Sequence, residues 1–292
     1  MESVIPILKS ALTIMVPVFF AAAGGLFPAI GGALNISLEG MLLAGAFSSL
    51  VVYNFTGNIF TAIICAVIAA VSLSALHAFA SYKLRANLFI SGLAINLFSS
   101  GLCIVLSDKI FKTRGVVTSA NEVPGLLTIY LFIGLVLFAI CAIIIYKTPY
   151  GYHLRACEKN SEALVSLGLK PELYQITALL ISGFFCGIGG SFLSLNLGAF
   201  VPNMSAGKGW IALAVIFLGL RKPIGILAAA FIFALVESFS NHAQGFFNTS
   251  GKITGTLPLE VPVDFILAFP YICAFFALII ISIIPKIRQN FK

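Results

Sequence analysis

Six long stretches of the chain contain no charged residue and are almost entirely apolar. A helix that crosses the hydrocarbon core of a bilayer needs about 20 such residues, and only helices or closed barrels satisfy their backbone hydrogen bonds in lipid. The stretches are residues 10–38, 40–57, 86–107, 126–146, 173–200 and 265–284. We therefore predict an all-α polytopic membrane protein.

Three further segments bring the predicted number of transmembrane or half-membrane helices to about nine. Residues 59–76 form another apolar run if a helix continues through His77. Residues 209–220 and 224–236 are short and flank Arg221-Lys222-Pro223, a charged turn that would be costly inside hydrocarbon. We expect these two segments to meet at a water-exposed turn, and residues 1–292 to form a single transmembrane domain.

The composition supports a membrane protein and argues against a nucleic-acid partner. Charged residues make up 9% of the chain and hydrophobic residues 60%, whereas soluble domains carry about 25% charged residues. The net charge of +7 comes from cations that are spread over many loops. Membrane topology explains such a distribution better than nucleic-acid binding does.

The distribution of lysine and arginine predicts the orientation. If the C-terminal cations lie in the cytoplasm, alternating the segments backwards places 11 cations inside and 6 outside, and the odd number of segments leaves the N-terminus outside. The inside set is Lys83, Arg85, Lys147, Arg155, Lys159, Lys170, Arg221, Lys222, Lys286, Arg288 and Lys292.

Motifs for catalysis, nucleotide binding and metal binding are missing from the sequence. The six cysteines form no CxxC pair, the three histidines are far apart, and Gly207-Lys208-Gly209 lacks the hydroxyl residue of a phosphate loop. We therefore expect no catalytic residues, no cofactor, no metal site and no disulfide.

Two glycine-rich breaks interrupt the apolar pattern and resemble each other. Each contains an asparagine, a serine two residues later, and then a charged residue before a glycine: Asn35 to Glu39-Gly40, and Asn203 to Lys208-Gly209. Interrupted helices at matching positions are typical of transporters with internal repeats, so we predict a weak internal repeat. The alternative is that the glycines serve close helix packing. Glu39 could cap the start of its own helix or contact a solute.

The longest polar island of the chain lies at residues 151–168. Ala156, Ala163, Leu164 and Leu167 recur at helical spacing, so a helix at about residues 158–168 would have one apolar face. Gly168 is suited to end this helix, and Pro171 is suited to begin the next one. Because such a helix cannot serve the membrane interior, the loop 147–172 must lie at a water interface, on lipid or on a partner.

The breaks and the island together resemble a known family. The run Asn35-Ile-Ser-Leu-Glu39-Gly40-Met looks like the signature near the N-terminus of permease subunits of bacterial nucleoside ABC importers, and Ser91-Gly-Leu-Ala-Ile-Asn96 resembles the segment that follows there. The island and the run from Asn203 to Trp210 resemble motifs of the wider branched-chain amino acid, ribose and nucleoside permease family. Family members often have Gly in place of Ser37 and Arg in place of Lys208, which weakens the assignment of the substrate.

The resemblance implies a multi-pass subunit of the bacterial cytoplasmic (inner) membrane with several partners. These are an ABC ATPase with two fused nucleotide-binding domains, a second and related permease, a substrate-binding lipoprotein or periplasmic protein, and a nucleoside-like solute. The short cytoplasmic helix would dock on the ATPase, with Ala163, Leu164 and Leu167 as the docking face. The residues implied in coupling are Gly151, Arg155, Ala156, Asn160, Ala163, Leu164, Leu167 and Gly168.

We expect the solute path to run near the two breaks. Asparagine can both donate and accept hydrogen bonds, which suits a neutral solute rich in hydroxyl groups, and an aromatic wall suits a base. The residues expected to line it are Asn35, Glu39 and Asn96, with Asn203 and Trp210 toward the outer side. The asparagines could instead cap helices or pair across helix contacts.

Three other functions remain open at this point. The chain could be a permease for a simple sugar or a branched-chain amino acid. It could be an ion-coupled carrier that acts alone, with Glu39, Glu237 or Asp264 as a proton site. It could also be an intramembrane enzyme, although no catalytic constellation is visible.

Overall fold

A computed structural model of the chain describes residues 4–119 and 125–249, together with 272, 273, 275, 276 and 279. The ten helices of the two long ranges are α1 (Val4–Ile30), α2 (Leu38–Thr56), α3 (Ile59–Ala78), α4 (Leu88–Phe111), α5 (Leu126–Lys147), α6 (Pro149–Lys159), α7 (Ser161–Ser166), α8 (Pro171–Leu197), α9 (Lys208–Leu218) and α10 (Pro223–Thr249). A π-helical turn, Phe79–Lys83, extends α3. Two short strands, β1 (Val117–Thr118) and β2 (Ala199–Phe200), pair antiparallel.

Seven of these helices, α1 to α5, α8 and α10, are long and apolar enough to cross a membrane. This confirms the predicted class of an all-α multi-pass membrane protein. The predicted number of about nine segments is not confirmed: α9 is a shorter apolar helix, and the last predicted segment, 265–284, lies almost entirely outside the described residues.

Two predicted segments have different bounds in the structure. The run 10–38 is not one helix, because α1 ends at Ile30 and the chain leaves helical geometry at Gly32, which has a φ of +74°. The segment predicted at 224–236 is longer than expected, since α10 continues through Glu237 to Thr249. The Glu237 carboxylate, before which the predicted segment stopped, therefore does not end the helix.

Contacts between helix ends define two ends of the bundle. At one end, which we call the Arg221 end, the last turn of α1, α6 and the turn between α9 and α10 touch one another through Arg221. At the other, which we call the strand end, β1 pairs with β2. Arg155, Lys159, Arg221 and Lys222, which were predicted to be cytoplasmic, lie on the elements that form the Arg221 end.

Helix α8 lies at the centre of the fold, where it packs against α1, α2 and α3. A Cβ atom on Gly187 would collide with the backbone of Val67 in α3, and one on Gly190 would collide with the backbone of Leu42 and Ala46 in α2. Glycine is therefore required at these positions for close approach of the helix backbones.

The polar island forms two short helices rather than the single helix predicted at 158–168. Asn160 leaves helical geometry (φ −156°, ψ 73°), and its side chain accepts a hydrogen bond from the Ala163 N–H. It thereby ends α6 and caps α7. The predicted helix stop is confirmed, because Gly168 has a φ of +76°, and Pro171 opens α8 as expected.

The central packing predicts that Gly190→Ala lowers the stability of the protein. The added Cβ would meet main-chain atoms of α2 that cannot rotate away, so we expect a loss of about 1–3 kcal/mol, as in other overpacked cores. The matched control is Gly101→Ala in α4, whose Cβ would have no neighbour within 4 Å. The measurement is the thermal unfolding midpoint in detergent. Equal midpoints for the two variants would contradict the packing of α8 against α2.

Candidate functional site

The two glycine-rich breaks meet inside the bundle, at a place that we call the central junction. It comprises residues 35–40, residues 203–209 and Asn96. The Glu39 carboxylate accepts hydrogen bonds from the N–H groups of Gly207 (2.8 Å) and Gly209 (2.7 Å), which begin α9. The free N–H groups at a helix start form a partial positive charge, so an anionic acceptor is favourable there.

Glu39 therefore caps a helix, as the sequence allowed, but it caps α9 and not its own helix α2. The N-terminus of α2 has Ser37 at the capping position and makes no side-chain capping bond. Because both Glu39 oxygens are used by main-chain donors, the carboxylate has little capacity left for a solute in this conformation.

The central junction lies deep in the bundle. Helix α9 runs for 11 residues from Lys208 to Leu218, close to the Arg221 end, and each helical residue rises 1.5 Å. The start of α9 thus lies about 16 Å from that end, which is about half of a 30 Å hydrocarbon core. Chain breaks at this depth need internal hydrogen-bond partners for their main chain.

Asn96 on α4 supplies such partners to the first break. Its side-chain oxygen accepts from the Gly40 N–H (2.8 Å), and its amide nitrogen donates to the Ile36 carbonyl (2.9 Å). The Ser99 hydroxyl donates to the Gly40 carbonyl (2.6 Å) one turn further along α4. Asn96 is half-buried, so part of its side chain still faces outward.

Asn35 does not line an open surface, contrary to the expectation that it borders a solute path. Its side chain is completely buried. Its amide nitrogen donates to the Ser182 hydroxyl on α8 (2.8 Å), and its oxygen accepts from the Ser37 hydroxyl (2.6 Å) and the Ser37 N–H (3.0 Å). Asn35 thus holds the first break against α8, as the alternative of pairing across helices foresaw.

Asn203 and Trp210 are exposed at the second break. Asn203 adopts a left-handed conformation (φ 59°), which asparagine tolerates better than most residues. Trp210, in the first turn of α9, is 45% exposed. Asn203 and the adjoining Trp210 are thus exposed, whereas Asn96, Glu39 and Lys208 are half-buried.

Gly40 and Gly209 allow the two breaks to approach. A Cβ on Gly209 would collide with the Glu39 backbone, and one on Gly40 would come too close to the Cα of Asn96. The sequence left two interpretations of the glycines open, close packing and interrupted helices. Both hold here, because α2 and α9 each begin after a break and their first turns pack on one another.

Of the other two carboxylates proposed from the sequence as proton sites, Glu237 alone lies among the residues that the structure describes. Glu237, on α10, has one buried carboxylate oxygen without a hydrogen-bond partner among the described residues. Asp264 lies outside the described residues.

The residues implied in coupling lie together at the Arg221 end, with several structural roles. A Cβ on Gly151 would collide with the Ile144 and Ile145 carbonyls, so α6 can turn closely after α5 only with glycine. The Arg155 guanidinium lies over the Tyr152 ring at 4.8 Å. Ala156 is half-buried.

The docking face predicted on α7 needs one correction. Leu164 is only 2% exposed, because it turns inward against the protein. Ala163 is exposed, and so are Leu167 (74%) and Val165 (61%). The outward apolar surface of α7 is therefore formed by Ala163 and Val165 together with Leu167, the residue that directly follows the helix.

Cys157, on the inner side of α6, donates its thiol hydrogen to the Pro171 carbonyl at 3.7 Å. Burial raises the pKa of this thiol, which keeps it neutral and unreactive.

Sequence reasoning missed two features of the site. The serines Ser99 and Ser182 complete the junction but look like ordinary small residues within apolar runs. The ion pair between Glu158 and Arg221 joins residues 63 positions apart. The only signal for it was that both residues were predicted on the same side of the membrane.

Comparisons with known proteins agree with this architecture. Residues 7–283 match the family described as branched-chain amino acid transport system / permease component. The chain is 28% identical to the nucleoside ABC transporter permease protein NupC of Lactococcus lactis subsp. cremoris (strain MG1363), over 95% of this chain and 91% of that protein. It is 29% identical to the guanosine ABC transporter permease protein NupQ of Bacillus subtilis (strain 168), over 93% and 90% of the two chains.

A solved structure shares the fold. It is an inward-facing conformation of a metal-chelate type ABC transporter, with a TM-score of 0.52 and 15% identity, covering 94% of this chain and 85% of that one.

The Glu39 geometry predicts a ranked loss of stability for two substitutions. Hydrogen bonds to a charged group contribute about 1.5–3 kcal/mol each, so Glu39→Ala, which removes both, should cost about 3 kcal/mol or more. Glu39→Gln keeps one acceptor oxygen and should cost about half as much. Thermal unfolding midpoints in detergent measure both, with Glu162→Ala on the exposed face of α7 as the control. If Glu39→Ala unfolds at the same temperature as that control, the junction does not depend on Glu39.

Proposed function

Because this chain belongs to the family of branched-chain amino acid transport system permease components, we propose that it is the membrane subunit of an ATP-driven ABC importer for nucleosides or related purine solutes. The observation that carries the proposal is the similarity to two permeases named for nucleoside and guanosine transport, which extends over nine-tenths or more of each chain. Their family is the one that the sequence motifs resemble.

The chain is a transport subunit and not an enzyme in this proposal. The sequence contains no phosphate-binding loop, so in this proposal ATP hydrolysis takes place on a partner ATPase. A second and related permease and a substrate-binding protein complete the complex. The seven apolar helices and the loop charges support a location in the bacterial cytoplasmic membrane.

The outward apolar surface of α7 is the proposed docking site for the ATPase. Ala163, Val165 and Leu167 expose apolar side chains at the end of the bundle that carries most of the loop cations. Exposed apolar groups on a polar loop mark a protein interface or contact with lipid. A protein interface, rather than contact with lipid, fits a subunit that is driven by a cytoplasmic ATPase.

The proposed solute path passes the accessible part of the central junction. Trp210 offers an aromatic face for a base, and Asn203 and Asn96 offer amides for ribose hydroxyl groups. Asn35 is not part of this wall, because its side chain is buried and fully used. Glu39 positions this surface indirectly, because its hydrogen bonds hold the start of α9, which carries Trp210.

The junction also bears on the alternative functions. A branched-chain amino acid would need an anionic partner for its ammonium group, and a stand-alone proton carrier would need a carboxylate that can load and release protons. Both oxygens of Glu39 are bound to main-chain N–H groups, so Glu39 suits neither task in this conformation. A sugar permease remains the closest alternative, since a sugar shares the hydroxyl groups of ribose.

Uptake measurements test the function directly. The chain is produced together with the proposed ATPase, second permease and binding protein from the same organism, in a bacterial strain that lacks nucleoside uptake. We expect ATP-dependent accumulation of labelled guanosine or adenosine that excess unlabelled nucleoside abolishes and excess leucine or glucose leaves unchanged. Competition by glucose or leucine alone would assign the solute to the alternative classes.

The docking site predicts that Ala163→Asp uncouples the importer. A carboxylate on the outward surface of α7 would have to be desolvated at the ATPase contact, which costs binding free energy. We expect a normal amount of protein in the membrane and a decrease in uptake on the order of tenfold, equivalent to about 1.4 kcal/mol. Ala86→Asp, at an exposed alanine in the loop between α3 and α4, is the matched control. Normal uptake by Ala163→Asp would contradict docking through α7.

A further inference from the structure

The guanidinium of Arg221 joins three helices at one point. It forms an ion pair with Glu158 on α6, donates to the Ala29 carbonyl at the end of α1 (3.3 Å), and lies over the Phe217 ring of α9 at 5.6 Å from the ring centroid. A planar guanidinium can make these contacts together, whereas a lysine ammonium cannot. Arg221 therefore connects the C-terminal end of α9 to α6, the helix that precedes α7.

The turn that carries Arg221 is held in an unfavourable backbone conformation. Leu220 and Arg221 both adopt left-handed geometry, with φ values of 54° and 53°, although neither is glycine. Such residues persist only where surrounding contacts hold them. Main-chain hydrogen bonds from the N–H groups of Leu220 and Arg221 back to α9 hold the turn, and the contacts of the Arg221 side chain add to them.

The turn is also tightly packed, so it moves as a unit with its helices. A Cβ on Gly225 would collide with the Gly219 carbonyl, and one on Gly219 would collide with the main chain of Ile226. The α9 helix, the turn and the start of α10 therefore form one stiff element. Movement of Arg221 is passed along α9 rather than absorbed in the turn.

The two ends of α9 are thus held by two different acidic residues. Glu158 holds Arg221 at the Arg221 end, and Glu39 holds the N–H groups of Gly207 and Gly209 at the other end. Glu158 lies two positions before Asn160, the residue that caps α7. A continuous chain of contacts therefore connects α7 to the central junction. It runs from α6 through Arg221 to α9, and from the start of α9 to Glu39.

We infer that Glu158 and Arg221 form a positioning pair that transmits movement of the α7 docking helix to α9, and through α9 to the solute path at the central junction. This inference rests on the proposed function, since it assigns the route by which ATP-driven movement reaches the path. The pair does not touch the solute and does not hydrolyse ATP. Its role is to keep the position of α9 dependent on the position of α6 and α7.

A contribution to folding alone does not explain the pair. Both side chains are 39% exposed, and ion pairs at such exposure contribute little to stability. Disrupting it should therefore leave the protein folded and alter the ratio of solute imported to ATP hydrolysed. A residue with only a structural role would change the amount of folded complex and leave this ratio unchanged.

The test is a charge exchange in the complete transporter, purified with its partners and reconstituted in vesicles. The variants are Glu158→Arg, Arg221→Glu and the double variant with both changes. Nucleoside uptake and ATP hydrolysis are measured on the same samples, and size-exclusion chromatography measures the folded complex. Lys222→Glu is the matched control, because Lys222 lies beside Arg221 and forms no ion pair among the described residues.

We expect each single exchange to lower the number of solutes imported per ATP by at least about fivefold, the lower end of typical coupling between sites. The double exchange should restore at least half of the lost ratio, and Lys222→Glu should match the wild type. Arg221→Lys should give an intermediate number of solutes imported per ATP, because lysine keeps the positive charge but lacks the planar guanidinium that contacts several groups at once.

Two results would overturn the inference, and both are distinct from failure of the proposed function. Wild-type ratios in both single exchanges would show that the pair transmits nothing. Loss in the single exchanges without any recovery in the double exchange, with the complex intact, would show that the two residues act separately. Absence of ATP-driven nucleoside uptake in the wild-type complex would instead contradict the proposed function and, with it, this inference.

Discussion

The contact between Glu39 and the start of α9 is the interaction on which the rest of the architecture depends. Interrupted helices inside a membrane leave main-chain N–H and C=O groups that lipid cannot satisfy. Here the first interruption solves this problem for the second, since the Glu39 side chain accepts hydrogen bonds from the Gly207 and Gly209 N–H groups. Asn96 and Asn35 complete the arrangement by binding the first break to α4 and α8.

This arrangement explains how one chain can present polar groups at the depth of the bilayer centre and still remain stable. Asn96 and Glu39 bind main-chain groups, and Asn35 binds mainly the hydroxyl groups of Ser37 and Ser182. Asn203 and Trp210 remain accessible. A neutral solute rich in hydroxyl groups can use such groups without bringing a net charge into the bundle. In the mechanism that we propose, α9 links this region to Arg221 and makes the proposed solute path depend on the position of α6 and α7.

The sequence was sufficient for the membrane class, the family and the approximate positions of the breaks, because each depends on local composition or on contiguous motifs. It was not sufficient for the partner of Glu39. That partner is a main-chain group 168 residues away, and main-chain groups leave no signal in a sequence. The same limit applies to Glu158 and Arg221. Leu164 was misplaced for another reason, because in so short a helix the apolar spacing alone does not decide which face turns inward.

The most direct test of this account uses Trp210, the only tryptophan of the chain, as a depth gauge at the start of α9. The unmodified protein is reconstituted in vesicles that contain lipids with nitroxide quenchers at defined depths, and quenching of tryptophan fluorescence is measured for each depth. The account predicts the strongest quenching from labels near the bilayer centre, because α9 begins about halfway through the hydrocarbon core. Strongest quenching from labels beside the headgroups would place the start of α9 at the membrane surface and contradict a junction between two interrupted helices.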